Sequence, residues 1–413
     1  MKSQSRRILL ACLVLVAAGV VRMPLEQAMT RDFRESGMLK EPLALDTRRK
    51  LGQGLVAVSL GGLRSLVASM LHLRAYGFFE NRRWDGVAES YDTIVQLAPN
   101  TGFYWDNGHW MMAYNAASHY DNNYDNFPPA RAAAEKRRWI LKGTRFLEEG
   151  VRLNPDNSRL WAELGSLYSN RLKIVDYDKS AAAFARAADL PGALPYMRRF
   201  QAYAMARSPD LIDQALPLVR ELRSQKGGSV PTLVCLHFAL EVRENPAIDP
   251  IRTATALFGD EEKAFRILSD YYLDAESGMP VDGVEPALEA LLVPLRDRAF
   301  QLARDPARHV EALDLVRTLH QGFGGSSAPL PVLRLALELA LDPSLPAPEQ
   351  MILSGFDRPG QALAALRAYR ADMQSGFPMN GIDEVIRKLE LSSGLPHEQP
   401  ATAPDPAPAP SHR

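Results

Sequence analysis

Residues Ser69 to Pro99 read S-M-L-H-L-R-A-Y-G-F-F-E-N-R-R-W-D-G-V-A-E-S-Y-D-T-I-V-Q-L-A-P, and their apolar positions fall at helical spacing twice over. Leu71, Ala75 and Phe78 form one stripe; Val87, Tyr91 and Ile94 form another. A short polar turn, Asn81 to Gly86, separates them, and Pro99 closes the second. The spacing predicts two antiparallel helices. Neither can bury its stripe alone, so the pair needs a neighbour of the same kind. One is signalled in the sequence. Trp105 follows Pro99 by six residues and Trp161 follows Pro155 by six, so the interval recurs 56 residues on.

The stretch from Trp105 predicts a helix to about Ser118, then the polar and aromatic run Asp121 to Pro129, then a helix from near Arg131 to Leu153. An insertion in this second pair accounts for an interval longer than a tight hairpin needs. The third pair is the most regular. Trp161, Leu164, Gly165 and Tyr168 stand at W-x-x-L-G-x-x-Y spacing, where the small Gly165 lets two helices approach while the rings fill the space beside it. Ser180, Phe184 and Ala187 supply the small–large–small pattern of its second helix, with Pro191 after it.

On these residues the chain from about Ser69 to Leu222 resembles the tetratricopeptide repeat (TPR) superfamily. The resemblance implies an all-α solenoid of stacked helical hairpins that serves as an interaction scaffold. The 56-residue interval and the off-register Pro191 depart from the regular pattern. In such an array the first helix of each pair lines the concave face. Aligning the prolines and tryptophans then puts His72, Tyr76, Phe79, Phe103, Asp106, Trp110 and Arg159 in a peptide-binding groove, along with Ser69, Ala162 and Ser166.

A weaker fourth pair follows, with Tyr196, Phe200 and Tyr203 and then Ala215 and Val219. Beyond Gln225 the signature fades but helical periodicity continues near Thr232–Val242, Glu261–Leu273, Val284–Arg304, Ala307–Phe323, Pro331–Leu341 and Gln361–Met373. The expected layout is a repeat region over 51–225 and a degenerate repeat or separate helical domain over 226–395. A Pro-rich disordered tail is expected over 396–413.

Ahead of the repeats, Lys2, Arg6 and Arg7 precede an uncharged apolar run from Ile8 to Val21. A positive flank before an apolar run is what membrane insertion requires. The run is short of the roughly 20 residues that span a bilayer, so a cleaved signal peptide competes with an uncleaved anchor over 1–23. Either reading puts the body on the far side of the membrane, facing the periplasm or the cell exterior. Residues 24–50 read as a juxtamembrane linker. Leu51 to Leu63 is apolar, but four glycines favour a buried helix capping the first repeat over a second span. The whole layout looks like the single-span, inner-membrane TPR proteins of bacteria. That resemblance implies protein or peptide partners held at the membrane.

Composition bounds the alternatives. A formal charge of −1 argues against a general nucleic-acid surface, which needs a basic excess. With two cysteines, Cys12 in the apolar run and Cys235 far from it, no disulfide framework is available. Tyr104 to Trp110, Y-W-D-N-G-H-W, combines rings with Asp106 as a carbohydrate site would, but no second acid is placed opposite it by spacing. Asp121-x-Asn123-x-Asp125-Asn126 copies the opening of a calcium loop, yet Ala132 stands where the twelfth-position Glu belongs. His109 and His119, ten residues apart on a helix, face different ways and do not chelate as a pair. No hydrolase, phosphate-loop or dinucleotide motif is present. The expectation is a non-enzymatic scaffold with no cofactor; the alternative is an envelope carbohydrate-active enzyme built from helical hairpins.

Overall fold

A computed structural model describes residues 64–274, 277–324, 329–372 and 376–393. The expected anchor, linker, Leu51–Leu63 stretch and Pro-rich tail lie outside them. The described residues form helices and no strand, the all-α class expected. None of their helices is long and apolar enough to cross a membrane. They fall into two compact units. The first runs to Val175 and includes Leu190–Gly192; the second takes Asp176–Asp189 and everything from Ala193. This division falls inside the stretch that the sequence presents as one repeat region, 51–225.

In the first unit, α1 (Arg64–Glu80) and α2 (Trp84–Leu97) pack as the expected hairpin. Val87, Tyr91 and Ile94 are fully buried, as is Ala75, while Leu71 and Phe78 sit half-buried at the seam. The turn is shorter than the polar residues suggest. Arg82 enters the left-handed region (φ 54°), its amide reaches Phe79 O and that of Arg83 reaches Phe78 O, both at 2.9 Å. This pairing satisfies the last carbonyls of α1 and turns the chain sharply, so α2 starts at Trp84. Trp84 is therefore a core residue and not part of the turn.

Proline sets where helices stop. Ala98, Asn154, Asn245 and Asp342 each precede a proline, which disfavours helical backbone, and each leaves its helix at φ −127° to −137°. Each amide still donates to the carbonyl four residues back, at 2.8–3.0 Å, so the helix end is capped as the chain departs. At two of these joints the recurring Pro–Trp interval produces the same bond. The indole of Trp105 donates to Pro99 O at 2.8 Å, and that of Trp161 donates to Pro155 O at 3.0 Å. The repeat seen in the sequence is thus a repeat of local structure.

From Thr101 the chain runs through α3 (Gly102–His109), a π-helical stretch (Trp110–Ala116) and α4 (Ala117–Asp121), then returns as α5 (Pro129–Leu153). α5 packs along all three segments. Trp105, only 2% exposed, lies with its ring centroid 4.7 Å from that of Phe146 and over Gly150. α6 (Ser158–Ser169) closes the unit; Leu164, Gly165 and Tyr168 are buried as expected, whereas Trp161 is half-buried.

The second unit begins with α7 (Tyr177–Ala188), which pairs with α8 (Pro195–Arg207) through Phe184 and Phe200, rings 5.4 Å apart. The helix expected to complete the third repeat therefore belongs to a different unit from α6. The rest is α9 (Ala215–Ser224), α10 (Pro231–Glu244), α11 (Pro250–Phe258), α12 (Glu261–Leu273), α13 (Val284–Ala303), α14 (His309–Gln321), α15 (Leu330–Leu341), α16 (Pro348–Leu353), α17 (Pro359–Asp372) and α18 (Ile382–Ser393). Successive helices pack on one another around one continuous core from Ala202 to Leu389. Six of these match the sequence periodicity within a few residues; α11, α16 and α18 do not stand out in it. Cys235 is buried here, and burial pushes its thiol up to about 12, which makes it an inert core residue.

Two glycines give opposite expectations. A Cβ on Gly143 in α5 would lie 2.6 Å from Ala113 Cβ and 2.7 Å from its backbone nitrogen. Helix propensity favours alanine by about 1 kcal/mol, but overpacking against backbone costs about 1–3 kcal/mol, and no rotamer relieves it. Gly77 in α1 has nothing within 4 Å of that position. Gly143→Ala should lower the melting temperature and Gly77→Ala should raise it. The reverse order would mean that α5 does not approach the π-helical stretch this closely.

Candidate functional site

All seven residues expected in the groove belong to the first unit. α1 supplies His72, Tyr76 and Phe79, α3 supplies Phe103 and Asp106, the π-helical stretch supplies Trp110, and α6 supplies Arg159. The structure joins two pairs across helices. The ring of His72 meets that of Phe103 edge-on at 5.4 Å, and Arg159 Nη2 donates to Asp106 Oδ2 at 2.8 Å. Within α1, Tyr76 and Phe79 have ring centroids 5.7 Å apart. Trp110 instead stacks on Tyr114, 4.2 Å away and nearly parallel. No ring contact joins Tyr76 to Trp110 among the described residues.

The seven differ in exposure, which separates packing from surface. Tyr76 and Phe103 are each 55% exposed and Trp110 48%. His72 and Phe79 are half-buried. His72 Nδ1 lies 3.1 Å from Tyr91 Oη, and burial lowers its pKa below the ordinary histidine value. It is thus a neutral member of the hairpin seam with one edge outward. Phe79 turns toward Trp84, whose ring is 5.5 Å from that of His119.

Three features are not evident from the sequence pattern. Leu66, Met70 and Leu73 are exposed on α1 beside Tyr76, at positions i, i+4, i+7 and i+10. A signal for them exists: the apolar residues of α1 spread well beyond the Leu71–Ala75–Phe78 stripe, which asks for cover on more than one side. The π-helical stretch is the second; it begins at Trp110, whose half-exposed ring stacks on that of the half-buried Tyr114. The third is Glu163. Spacing places no acid opposite Asp106, but α6 brings Glu163 there, so that Asp106, His109 and Glu163 each offer a donor atom within 4.8 Å of the others.

The chemistry of that cluster follows from burial and charge. Desolvation raises the pKa of Glu163, Asp106 raises it further, and Arg159 opposes both. His109, 1% exposed, has its Nδ1 3.3 Å from Trp105 O and 3.9 Å from Asp106 Oδ1, while its Nε2 is buried without a partner. Burial lowers its pKa despite the pull of Asp106. Among the described residues, these three are the group able to hold a divalent cation, but the Arg159 guanidinium already holds Oδ2 of Asp106. His119 sits elsewhere, with Nε2 2.9 Å from Asp125 Oδ2, so the two histidines do not share a site.

The loop that copies a calcium motif closes on itself. Asp121 pairs with Lys136 at 2.8 Å and Asp125 with His119. Asn123, at φ 48°, clasps Phe127 through both its amide atoms, each bond 2.8 Å. Its polar groups build a turn, as the missing twelfth-position acid suggests.

No protein-family model matches the sequence, and no curated protein matches it.

His109 gives a prediction with a definite sign. The unfolded chain takes up a proton on this ring near pH 6.5, whereas the folded chain resists until lower pH. The unfolded state therefore binds more protons as pH falls below about 6.5, and stability drops there. Replacing His109 by Gln should flatten that decline, by up to about 1.4 kcal/mol per pH unit. Denaturant unfolding between pH 7.5 and 5 checks it; equal slopes for the two proteins would contradict burial of the ring.

Proposed function

We propose that this chain is a protein-interaction scaffold of stacked, TPR-like helix pairs. Its N-terminal segment would hold it at the bacterial inner membrane with the body on the far side. A peptide segment of a partner would dock on the surface that carries Tyr76, Phe103 and Trp110. The observation that carries the reading is the contrast in exposure. Residues one or two positions away on the same segments, Ala75, Trp105 and Met112, are buried, whereas these three rings are about half exposed. Large rings held outward on rigid helices lose little entropy on binding and bring much apolar area, so they tend to dominate interface energies. Leu66, Met70 and Leu73 extend the same kind of surface along α1.

The alternative, a carbohydrate-active enzyme, draws support from one observation: Glu163, with its raised pKa, lies close to Asp106. A carboxyl pair of that kind is the chemistry of glycoside hydrolysis. Arg159, however, would have to leave Asp106 before that carboxylate could act on a sugar.

The Tyr76→Ala, Trp110→Ala double variant separates docking from packing. As surface anchors, the two rings should leave the melting temperature near that of the parent. Their removal should weaken affinity for a partner recovered from membranes by crosslinking by about 2 kcal/mol or more. A large drop in melting temperature, as removal of core rings at about 3–5 kcal/mol each would give, sinks the assignment.

A further inference from the structure

A second surface of the first unit lies apart from these aromatics. α2 and α5 both pack against α3, and between them runs an open groove of about 990 Å³. Its floor is apolar, formed by Val95, Trp105, Phe146 and Leu153. One wall is basic. Arg138, Lys142 and Arg145 stand along α5 at i, i+4 and i+7, spanning about 10 Å of helix.

These cations are not equally committed. Arg138 already bridges Asp85 and Glu135, each at 2.9 Å. Lys142 lies over the Trp139 ring, 5.5 Å from its centroid, and has no carboxylate partner among the described residues. Arg145 has none there either and is exposed. Two acids line the groove: Asp92 on the α2 side, and Glu149, which is held by Arg152, whose hydrogen bond lowers its pKa. The groove thus presents an apolar floor and three cations to two acids, with Lys142 and Arg145 lacking a carboxylate partner among the described residues.

We infer that this groove docks an acidic amphipathic helix of a partner protein. Two helices seated on a third leave the space that a further helix fills, and helix-in-groove recognition uses apolar anchors at i, i+3 or i+4 and i+7. The charge pattern selects the acidic class. A wall of cations strung along one helix pairs with carboxylates strung along another, whereas a single anionic headgroup would engage one end and leave the rest unmatched. None of the lining residues belongs to the surface around Tyr76, so this docking goes beyond the proposed function and does not require it.

The test uses the full-length protein and a fluorescein-labelled 18-residue helical peptide. The peptide carries leucines at i, i+4, i+7 and i+11 flanked by glutamates, and anisotropy is read at low and at 0.3 M salt. Expected are saturable binding that salt weakens and a loss of about tenfold or more in the Lys142→Glu, Arg145→Glu variant. Arg145→Glu alone should give a smaller loss at an unchanged melting temperature. The Tyr76→Ala, Trp110→Ala variant should bind the peptide as the parent does, which keeps failure here distinct from failure of the proposed function. Absence of saturable binding overturns the inference, as does equal binding of the same peptide with lysines for glutamates. Affinity unmoved by the two charge reversals also overturns it. Displacement of the peptide by laurate at far lower concentrations than those at which the peptide itself saturates would assign the groove to an anionic amphiphile instead.

Discussion

The indole of Trp105 does two jobs that the rest of the first unit depends on. Its ring lies against Phe146 and Gly150 of α5, and its N–H reaches back to Pro99 O. That carbonyl stands just past a helix end, where no intrahelical donor is left for it. It also accepts from Asn154 Nδ2 at 2.9 Å, in the joint before α6. One carbonyl therefore takes donors from two successive joints, 55 residues apart, and fixes the turn from α2 into α3 relative to the turn from α5 into α6. The apolar ring supplies the burial; the two hydrogen bonds supply the register.

Because the core is committed in this way, surface chemistry is free to vary. Where Trp105 looks inward, Trp110 looks outward at the start of the π-helical stretch, and Phe103 does the same on α3. The charged residues follow the same division. Around Asp106, charge is compensated locally by Arg159, and the neighbouring Glu163 and His109 respond to burial by favouring their neutral forms. Along α5, by contrast, Lys142 and Arg145 have no carboxylate partner among the described residues. Aromatic exposure in one place and charge without a described partner in another set the surface of the first unit apart from its core.

Much of the fold is legible in the sequence because hairpin packing and proline stops are local rules. Val87, Tyr91 and Ile94 declare their stripe, and the Pro99–Trp105 and Pro155–Trp161 intervals alone declare two equivalent joints. Trp161 keeps the hydrogen bond but not the full burial, since the interval specifies the turn and not what later packs on the ring. The division near Val175 is not legible, because W-x-x-L-G-x-x-Y followed by a small–large–small helix reads as one pair whether or not the two helices share a unit. At the site, features that arise within one helix can be read from spacing, and those that depend on a second helix cannot. Glu163 meets Asp106 only through the placement of α6, and the exposure of Leu66, Met70 and Leu73 depends on what covers α1.

The central claim is that Trp105 is the buried pivot of the joint while Trp110, five residues on, is surface. Acrylamide quenching of tryptophan fluorescence in Trp105→Phe and Trp110→Phe tests it directly, with five tryptophans in the chain. The account predicts that Trp110→Phe removes the most quenchable, red-shifted part of the emission, whereas Trp105→Phe removes a shielded, blue-shifted part and lowers stability. Loss of the quenchable component in Trp105→Phe, with Trp110→Phe silent, would contradict it.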